Sequence, residues 1–235
     1  MSFESAPTRS NGIGEVVITA RSFEEYKAMF ALSPDDLTKR ILDCPGGAAG
    51  FTSEGNSRGG DVIACDVAYS LHTANELAAT AEAETDRGNE YVRAHSHDYV
   101  WEFFADPDEH QHVRHRAVQG FAADIRRNPN HYVAGRLPSL PFPDSSFDLV
   151  LSSHLLFSYA DRLDHAFHLD AISELMRVTR DEARIFPLVP VGSSEPYPQL
   201  DGLLEELDSR GITARIVSVD YEFQRGATHM LVCRH

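Results

Sequence analysis

Short apolar runs alternate with amphipathic stretches along most of this chain of 235 residues. The runs are bounded by glycine, proline, asparagine and aspartate, which is typical of buried strands that end in turns. They predict strands over 40–44, 61–66, 131–134, 147–152 and 183–189, and over 212–219 and 229–234 at the end of the chain. The last two strands pair antiparallel most simply, since a short connection joins them.

Helical spacing fills the intervals between these strands. It predicts helices over 22–30, 47–56, 71–84, 98–104, 107–127, 162–178 and 200–210, and a short helix that begins near 33. The first of these starts at Ser22, and Glu25 three residues later completes a capping box. The stretch 68–130 is too long for a simple crossover, so we expect an inserted helical layer over the strand ends. We expect residues 1–39 to form an N-terminal helical segment.

Composition excludes several classes of protein. The net charge of −15 opposes non-specific binding to nucleic acid or anionic lipid. Three cysteines without CxxC spacing argue against a disulfide framework or a zinc site, and we expect no metal. The chain has no apolar run long enough to span a membrane, and residues 1–14 lack the apolar core of a signal peptide. We expect one cytoplasmic domain over 1–235, with no membrane contact and an undetermined oligomeric state.

A glycine-rich turn follows the first predicted strand. Asp43 ends that strand, Pro45, Gly46 and Gly47 form the turn, and a helix follows. The second strand ends in another acid, Asp66, 23 positions after Asp43. A strand, a glycine-rich turn, a helix and a strand that ends in a carboxylate make up half of a nucleotide-binding α/β fold. The ligand is therefore expected to carry a nucleoside.

A third motif, LPFPDSSFDLVLSSH over 140–154, joins a turn to a buried strand. Together the three motifs resemble the class I S-adenosylmethionine-dependent methyltransferases, from about residue 40 to the C-terminus with the helical insert excepted. The resemblance implies an α/β fold with a mostly parallel, seven-stranded, Rossmann-like sheet and helices on both faces. It also implies an antiparallel final strand, a helical insert after strand two, and an enzyme that uses S-adenosyl-L-methionine.

The resemblance also assigns roles to residues. The family holds the methionine part of the cofactor at the glycine turn and the helix after it, and holds the ribose hydroxyls at the acid that ends strand two. Asp43 either orients the turn or contacts the cofactor amine. The N-terminal helix either covers the cofactor as a lid or packs into the core. The expected cofactor contacts are Tyr26, Asp43, Pro45, Gly46, Gly47, Asp66, Val67, Leu137, Ser139, Leu140 and Ser153.

Three positions depart from the family pattern. Pro45 and Ala49 stand where the common loop has glycine, and Arg136 stands where an acid often grips the adenine amino group. These departures keep open a non-catalytic protein that binds S-adenosylmethionine or S-adenosylhomocysteine. A protein or RNA methyltransferase is a further alternative, although the acidic charge counts against RNA. An NAD-dependent enzyme is disfavoured because the loop does not match G-x-G-x-x-G.

His154 follows the fourth predicted strand, at the carboxyl end where open α/β sheets bind ligands. It is the candidate general base or substrate contact, with Tyr159 as a weaker candidate. The alternative is a histidine that bonds a backbone carbonyl or lines the cofactor pocket. Methyl transfer is an in-line displacement, so a base is needed only if the nucleophile arrives protonated. We expect a small-molecule acceptor, in a pocket roofed by the 68–130 insert and the N-terminal helix.

Other polar clusters have plainer explanations. His112 and His115 have the i, i+3 spacing of metal ligands, but the sequence places no further partner beside them. His165 and His168 are expected to face solvent. Arg225 either receives an anionic group of the substrate or forms an ion pair within its own loop.

Overall fold

A seven-stranded sheet organises the part of the chain that the computed structural model describes, residues 19–235. Its strands are β1 (Arg40–Asp43), β2 (Asp61–Asp66), β3 (Tyr132–Ala134), β4 (Phe147–Ser153), β5 (Thr179–Phe186), β6 (Thr213–Ser218) and β7 (His229–Arg234). Their order is β3-β2-β1-β4-β5-β7-β6. Only β7 runs antiparallel to its neighbours, which confirms the predicted fold. The predictions for residues 1–18 lie outside the described residues.

Six α-helices accompany these strands within residues 19–235. They are α1 (Phe23–Met29), α2 (Gly50–Ser57), α3 (Ala74–Ala94), α4 (Pro107–Arg127), α5 (His165–Val178) and α6 (Leu200–Ser209). The predicted capping box of Ser22 and Glu25 is present at the start of α1. α3 and α4 occupy the connection between β2 and β3. None of the helices in this range is long and apolar enough to cross a membrane.

Alternate residues of the central strands supply two separate cores. Leu42 and Val150 pack with side chains of α5 and α6 on one face of the sheet. Ile41, Leu149 and Leu151 pack with side chains of α1 and α2 on the other face. Because successive strand side chains point to opposite faces, a strand that is apolar at every position needs helices on both sides.

The strand register brings several loops to one edge of the sheet. Asp43 at the end of β1 lies beside Leu151 of β4. Ser153 at the end of β4 lies beside Phe186 at the end of β5. Because these strands are parallel, the turn after β1 and the loops after β4 and β5 open at the same edge. Ligands of open α/β sheets bind at that edge.

The prediction of a helix over 98–104 is wrong. The chain forms one 3₁₀ turn at Ser96–Asp98 and then continues without regular structure. Tyr99 forms an isolated bridge with the β6–β7 connection, and the Val100 amide donates to the Phe223 carbonyl at 2.9 Å. The Tyr99 ring also stacks on the Phe223 ring. Backbone pairing with a distant segment therefore overrides the local helical propensity.

The boundaries of several elements also differ from the prediction, most of all those of α3 and β5. α3 begins after its N-cap Thr73 and continues ten residues beyond its predicted end. It packs along α4, and this packing outweighs the cost of Gly88 within the helix. β5 begins four residues earlier than predicted, because Thr179 already pairs with β4. It ends three residues earlier, before Pro187, which has no amide for the sheet.

Glu25 is a buried charge that joins distant parts of the chain. Its carboxylate receives Arg114 of α4 through Nη1 at 2.9 Å and Nη2 at 2.7 Å. The Tyr221 hydroxyl, from the β6–β7 connection, donates to the same carboxylate at 3.1 Å, and the Ser22 amide donates at 2.9 Å. Arg114 also donates to the Ala20 carbonyl at 3.1 Å. The pair therefore ties the N-terminal segment, α4 and the β6–β7 connection together.

We predict that Glu25→Ala destabilises the protein by about 3–5 kcal/mol, because it leaves Arg114 buried without its counter-charge. The free energy of unfolding in urea measures this. Glu24→Ala, at an exposed position of the same helix, serves as the control and should change it by less than about 0.5 kcal/mol. The double variant Glu25→Leu with Arg114→Met should recover part of the loss. A loss below about 1 kcal/mol in Glu25→Ala would contradict this account.

Candidate functional site

The turn after β1 is tight, as predicted. Backbone conformation and close packing within the protein explain why it needs glycine. Gly47 has φ +51°, a left-handed conformation that glycine adopts without strain. A Cβ atom on Gly46 would lie 2.7 Å from the Ala64 Cβ and 2.8 Å from the Tyr69 hydroxyl. This turn delays the start of α2, which begins at Gly50 rather than at the predicted 47.

Asp66 closes the same turn from the end of β2. Its Oδ2 accepts the Gly47 amide and its Oδ1 accepts the Ala68 amide, both at 2.9 Å. The Tyr69 hydroxyl donates to the Gly47 carbonyl at 2.7 Å. Asp66 is half-buried beside the exposed Val67, and burial raises the pKa of the carboxyl group. Each carboxylate oxygen keeps a second lone pair, so Asp66 caps the following 3₁₀ turn and can still accept hydroxyl groups.

The segment before α1 covers the N-terminus of α2. The Ala48 amide donates to the Thr19 carbonyl at 3.1 Å, and the Gly50 amide donates to the Arg21 carbonyl at 2.7 Å. Free amides at a helix N-terminus suit an anion, and the resemblance places the methionine part of the cofactor at this turn. These two amides are instead bonded within the protein.

Asp43 and Arg21 each keep a polar atom without a partner near this turn. The Tyr26 hydroxyl donates to Asp43 Oδ1 at 3.0 Å, whereas Asp43 Oδ2 is buried and unbonded. Arg21 donates to the Thr19 hydroxyl at 2.5 Å, its Nε is buried and unbonded, and it forms no ion pair within residues 19–235. Burial raises the pKa of Asp43 well above its ordinary value, and burial and Arg114 lower that of Arg21. One oxygen of the carboxylate therefore lacks a donor, and one nitrogen of the guanidinium lacks an acceptor.

Tyr26 belongs mainly to the core. Its ring stacks on Phe51 with a centroid distance of 4.6 Å, and Met29 and Phe30 on the same helix are fully buried. Of the two uses expected for this helix, the structure shows core packing. Only the Tyr26 hydroxyl reaches the site, through its bond to Asp43.

The loop after β3 lies on the side where the resemblance places adenine. Leu137 and Leu140 are buried, whereas Ser139 is exposed. The Leu140 amide donates to the Glu174 carboxylate at 2.6 Å, and the Ser139 amide donates to the Arg136 carbonyl at 2.9 Å. Neither of these two amides is therefore free to bind a base in this conformation.

A cavity of about 610 Å³ opens at the strand ends, next to the N-terminal segment. Its walls come from the segment before α1, from α3 and α4, from the loops after β4 and β5, and from the β6–β7 connection. Its aromatic lining consists of Tyr91, Tyr99, Tyr159, Phe186, Tyr221 and Phe223. A cavity of this size is typical of small-molecule sites.

His154 lies in the wall of this cavity, directly after β4. Its amide donates to the Phe186 carbonyl at 2.7 Å, and its Nδ1 lies 2.8 Å from the Ser153 hydroxyl. Burial and two nearby arginines lower the pKa of His154 well below 6.5, so the imidazole is neutral at pH 7. Such a ring accepts a hydrogen bond but is a weak proton acceptor. Tyr159, the second candidate, lines the same cavity.

The expectation that His168 faces solvent is wrong. The side chain is fully buried on the inner face of α5, where its ring stacks on Tyr197 at 4.8 Å. Its Nε2 lies 3.0 Å from the Leu156 carbonyl, which satisfies the buried nitrogen. His165 is half-buried and bonds the Glu206 carboxylate at 3.0 Å.

The remaining polar residues considered for function have simple surroundings. His115 bonds Asp86 at 2.7 Å and His112 is exposed. Over residues 19–235, no group of three or more potential ligands is placed to hold a metal ion. Arg225 is exposed at the rim of the cavity. In the described chain Glu222 does not pair with it, and accepts an amide of its own loop at 2.7 Å.

Several residues of the cavity were not identified from the sequence. They are Arg21 before α1, Thr85 and Asn89 on α3, and His110 and Arg114 on α4. A signal was present, because each helical pair has i, i+4 spacing and therefore shares one face. The sequence alone does not show that these two faces meet, since that depends on how α3 packs on α4.

Comparison with known proteins supports the assignment of the motifs. A family model described as a methyltransferase domain matches residues 105–186, which include β3, β4 and β5. The uncharacterized protein MJ0045 of Methanocaldococcus jannaschii is 32% identical over 221 residues, which cover 94% of this chain and 96% of that protein. The two proteins therefore belong to one family.

Solved structures with a similar fold include two methyltransferases. One is a SAM-dependent methyltransferase from Aquifex aeolicus, 14% identical, with 90% of this chain and 95% of that chain covered and a TM-score of 0.43. The other is magnesium protoporphyrin IX methyltransferase (ChlM) from Synechocystis with bound SAH. It is 12% identical, with 91% and 81% covered and a TM-score of 0.48.

Three independent features agree on one family. The turn after Asp43 and the acid at Asp66 lie at the ends of adjacent parallel strands. The strand order places an antiparallel β7 between β5 and β6. The methyltransferase domain model covers the third motif. The chain belongs to the class I S-adenosylmethionine-dependent methyltransferase family, whose cofactor is S-adenosyl-L-methionine.

Proposed function

We propose that this protein transfers a methyl group from S-adenosyl-L-methionine to a small-molecule acceptor by in-line displacement. The observation that carries the proposal is the cavity of about 610 Å³ at the ends of β4 and β5. Its volume suits a small molecule, and α3, α4 and the β6–β7 connection enclose it. The net charge of −15 disfavours RNA as the acceptor.

The residues around the glycine turn fit the methionine part of the cofactor. That part carries an amino group and a carboxylate on one carbon. Asp43 offers a buried oxygen without a donor, and Arg21 offers a buried nitrogen without an acceptor. We therefore assign the amino group to Asp43 and the carboxylate to Arg21. The free lone pairs of Asp66 fit the ribose hydroxyls.

The chemistry asked of the protein is mainly alignment. When bound, the cofactor supplies an electrophilic methyl group on a sulfonium. His154 is neutral, so one of its ring nitrogens donates and the other accepts. We assign the ring proton to Nδ1, which then donates to the Ser153 hydroxyl, and in that tautomer Nε2 would accept a hydrogen bond from the nucleophile. Orientation of the nucleophile within the cavity is the contribution we assign to His154, with Tyr159 as a further contact.

Methyl-labelled S-adenosylmethionine tests the proposed acceptor class. Purified protein is incubated with the labelled cofactor and a cell extract that is separated into metabolites, protein and RNA. We expect label in the metabolite fraction, and roughly tenfold less label with His154→Gln, because the nucleophile loses its orienting contact. S-adenosylhomocysteine should bind this variant and the wild type equally. Label confined to protein or RNA would contradict the small-molecule proposal, and an absence of turnover would favour a binding protein.

Arg21→Gln should weaken S-adenosylhomocysteine binding about 10- to 100-fold, since a charge-assisted hydrogen bond contributes about 1.5–3 kcal/mol. Titration calorimetry measures this. 5′-Methylthioadenosine lacks the amino acid part, so its affinity should not change in the same variant. Arg93→Gln, at an exposed position of α3, is the matched control. Equal losses of affinity for both ligands would show that Arg21 does not bind the carboxylate of the cofactor.

The affinity for S-adenosylhomocysteine should fall as the pH is lowered. Burial raises the pKa of Asp43, and its ionised form is the one that binds an ammonium group. Binding is therefore tightest above the folded-state pKa and weakens as Asp43 takes up its proton. Calorimetry between pH 8 and 5 should show this slope for the wild type and a flat, weaker profile for Asp43→Asn. The same slope in both proteins would rule out Asp43 as its origin.

A further inference from the structure

The inner end of the cavity carries hydrogen-bond donors that the protein does not satisfy. His110, Asn89 and Thr85 line the cavity, and each side chain is at most 6% exposed. The His110 Nδ1, the Asn89 Nδ2 and the Thr85 hydroxyl are buried and have no partner within the described residues. A buried polar group without a partner costs about 1–3 kcal/mol, so a ligand that accepts hydrogen bonds from these three groups would be stabilised at this site.

The proton position on His110 follows from its neighbour. Arg114 Nε lies 3.1 Å from His110 Nε2, and a guanidinium can only donate. His110 Nε2 is therefore the acceptor, and the single proton of the neutral ring sits on Nδ1. Burial, Arg114 and Arg21 lower the pKa of His110 to about 2, which keeps the ring neutral at physiological pH. His110 thus presents an N–H group that lacks an acceptor.

The surroundings of these donors are flat and aromatic. The His110 ring stacks on Phe223 with a centroid distance of 4.8 Å and an interplanar angle of 13°. The Tyr99 ring also stacks on Phe223, with a centroid distance of 4.6 Å. Phe223 and Tyr99 also line the cavity. Aromatic walls of this kind favour a planar guest.

The polar groups in the cavity wall also favour a ligand that accepts hydrogen bonds. Arg21 and Arg114 are buried cations of the wall, and Arg114 is paired with Glu25. The carboxylates Glu84 and Asp98 also line the cavity. An ammonium group placed beside His110 and Asn89 would meet N–H groups, which cannot accept a hydrogen bond from it. A carbonyl or carboxylate oxygen would instead accept the hydrogen bonds that the wall leaves unused.

We propose that the methyl acceptor is a planar, conjugated small molecule that places a carbonyl or carboxylate oxygen against His110 and Asn89. This inference rests on the proposed function, because it assigns the acceptor of that same cavity. The protein recognises the acceptor through this oxygen, which lies at the α3–α4 side of the cavity. The nucleophile belongs at the His154 side, where β4 ends. A donor-only group such as a protonated amine is excluded from the position beside His110 and Asn89.

Fluorine NMR with simple probes tests this assignment. The protein is first saturated with S-adenosylhomocysteine, so that the cofactor's own carboxylate site is filled. 4-Fluorobenzoate and 4-fluoroacetophenone are then titrated against 4-fluorobenzylamine. We expect at least one of the two oxygen probes to bind at least tenfold more tightly than the amine. The stronger of the two distinguishes an anionic oxygen from a neutral one. Equal or tighter binding of the amine, or no binding of any probe, would overturn the proposal.

Variants of Asn89 and His110 test where in the cavity the probe binds. Asn89→Leu keeps a similar volume and should weaken the oxygen probe roughly fivefold, the loss of one neutral hydrogen bond. His110→Phe keeps the stack on Phe223 and should weaken it at least as much. Glu90→Gln and Gln119→Ala, at exposed positions of α3 and α4, should leave it unchanged. Unaltered binding in a folded Asn89→Leu protein would contradict the assignment.

The cofactor is tested separately. Calorimetry with S-adenosylhomocysteine alone reports on the proposed function, without any acceptor probe. If that ligand fails to bind, the same probe titrations are carried out on the ligand-free protein. Oxygen-selective probe binding that depends on Asn89 would then keep the cavity assignment while the methyltransferase proposal fails.

Discussion

The ion pair of Glu25 and Arg114 is the constraint on which the cavity depends. A buried pair pays a large desolvation cost, so it persists only where further hydrogen bonds satisfy both partners. Here Ser22, Tyr221 and the Ala20 carbonyl supply those bonds. The three groups come from regions that line or border the cavity. The pair therefore determines where the N-terminal segment, α4 and the β6–β7 connection meet.

The same pair also determines the chemistry of the cavity wall. With its outer nitrogens held by Glu25, the Arg114 guanidinium directs its Nε to His110. That contact fixes the imidazole tautomer, and the stack on Phe223 fixes the plane of the ring. A charge buried on α1 thus sets a hydrogen-bond donor on α4. The recognition surface and the stability of the domain depend on one network.

The sequence predicted the framework well because the framework follows from local rules. Apolar strands that end in Asp43 and Asp66, a tight turn at Gly47 and the period of α5 are each encoded within a few residues. The segment after Asp98 could not be predicted in this way, because its backbone pairs with Phe223, more than a hundred positions away. His168 was misjudged for a related reason, since its burial depends on Tyr197 from another loop.

The departures of the glycine turn from the family pattern have a structural explanation. Gly50 packs closely on the insert, because a Cβ there would lie 3.2 Å from the Ala117 backbone of α4, which would have to move slightly. Ala49 is buried at the N-cap of α2, where the chain is extended and needs no glycine. The backbone of Thr19 and Arg21 then satisfies the helix amides. In this chain the N-terminal segment therefore binds backbone amides of the turn, and α4 of the insert packs closely on Gly50.

The buried polar atoms without a partner are distributed as expected for a ligand site and not for random packing defects. Within residues 19–235, nine buried side-chain polar atoms lack a partner, and five belong to residues that line the cavity. Random defects would scatter over the core, whereas these gather where α3, α4 and the strand ends face one another. In the proposed function, the carboxylate of the cofactor accounts for Arg21, whereas Ser158 follows β4 on the side of His154. The donors on α3 and α4 remain, and an oxygen of the acceptor is the group that completes them.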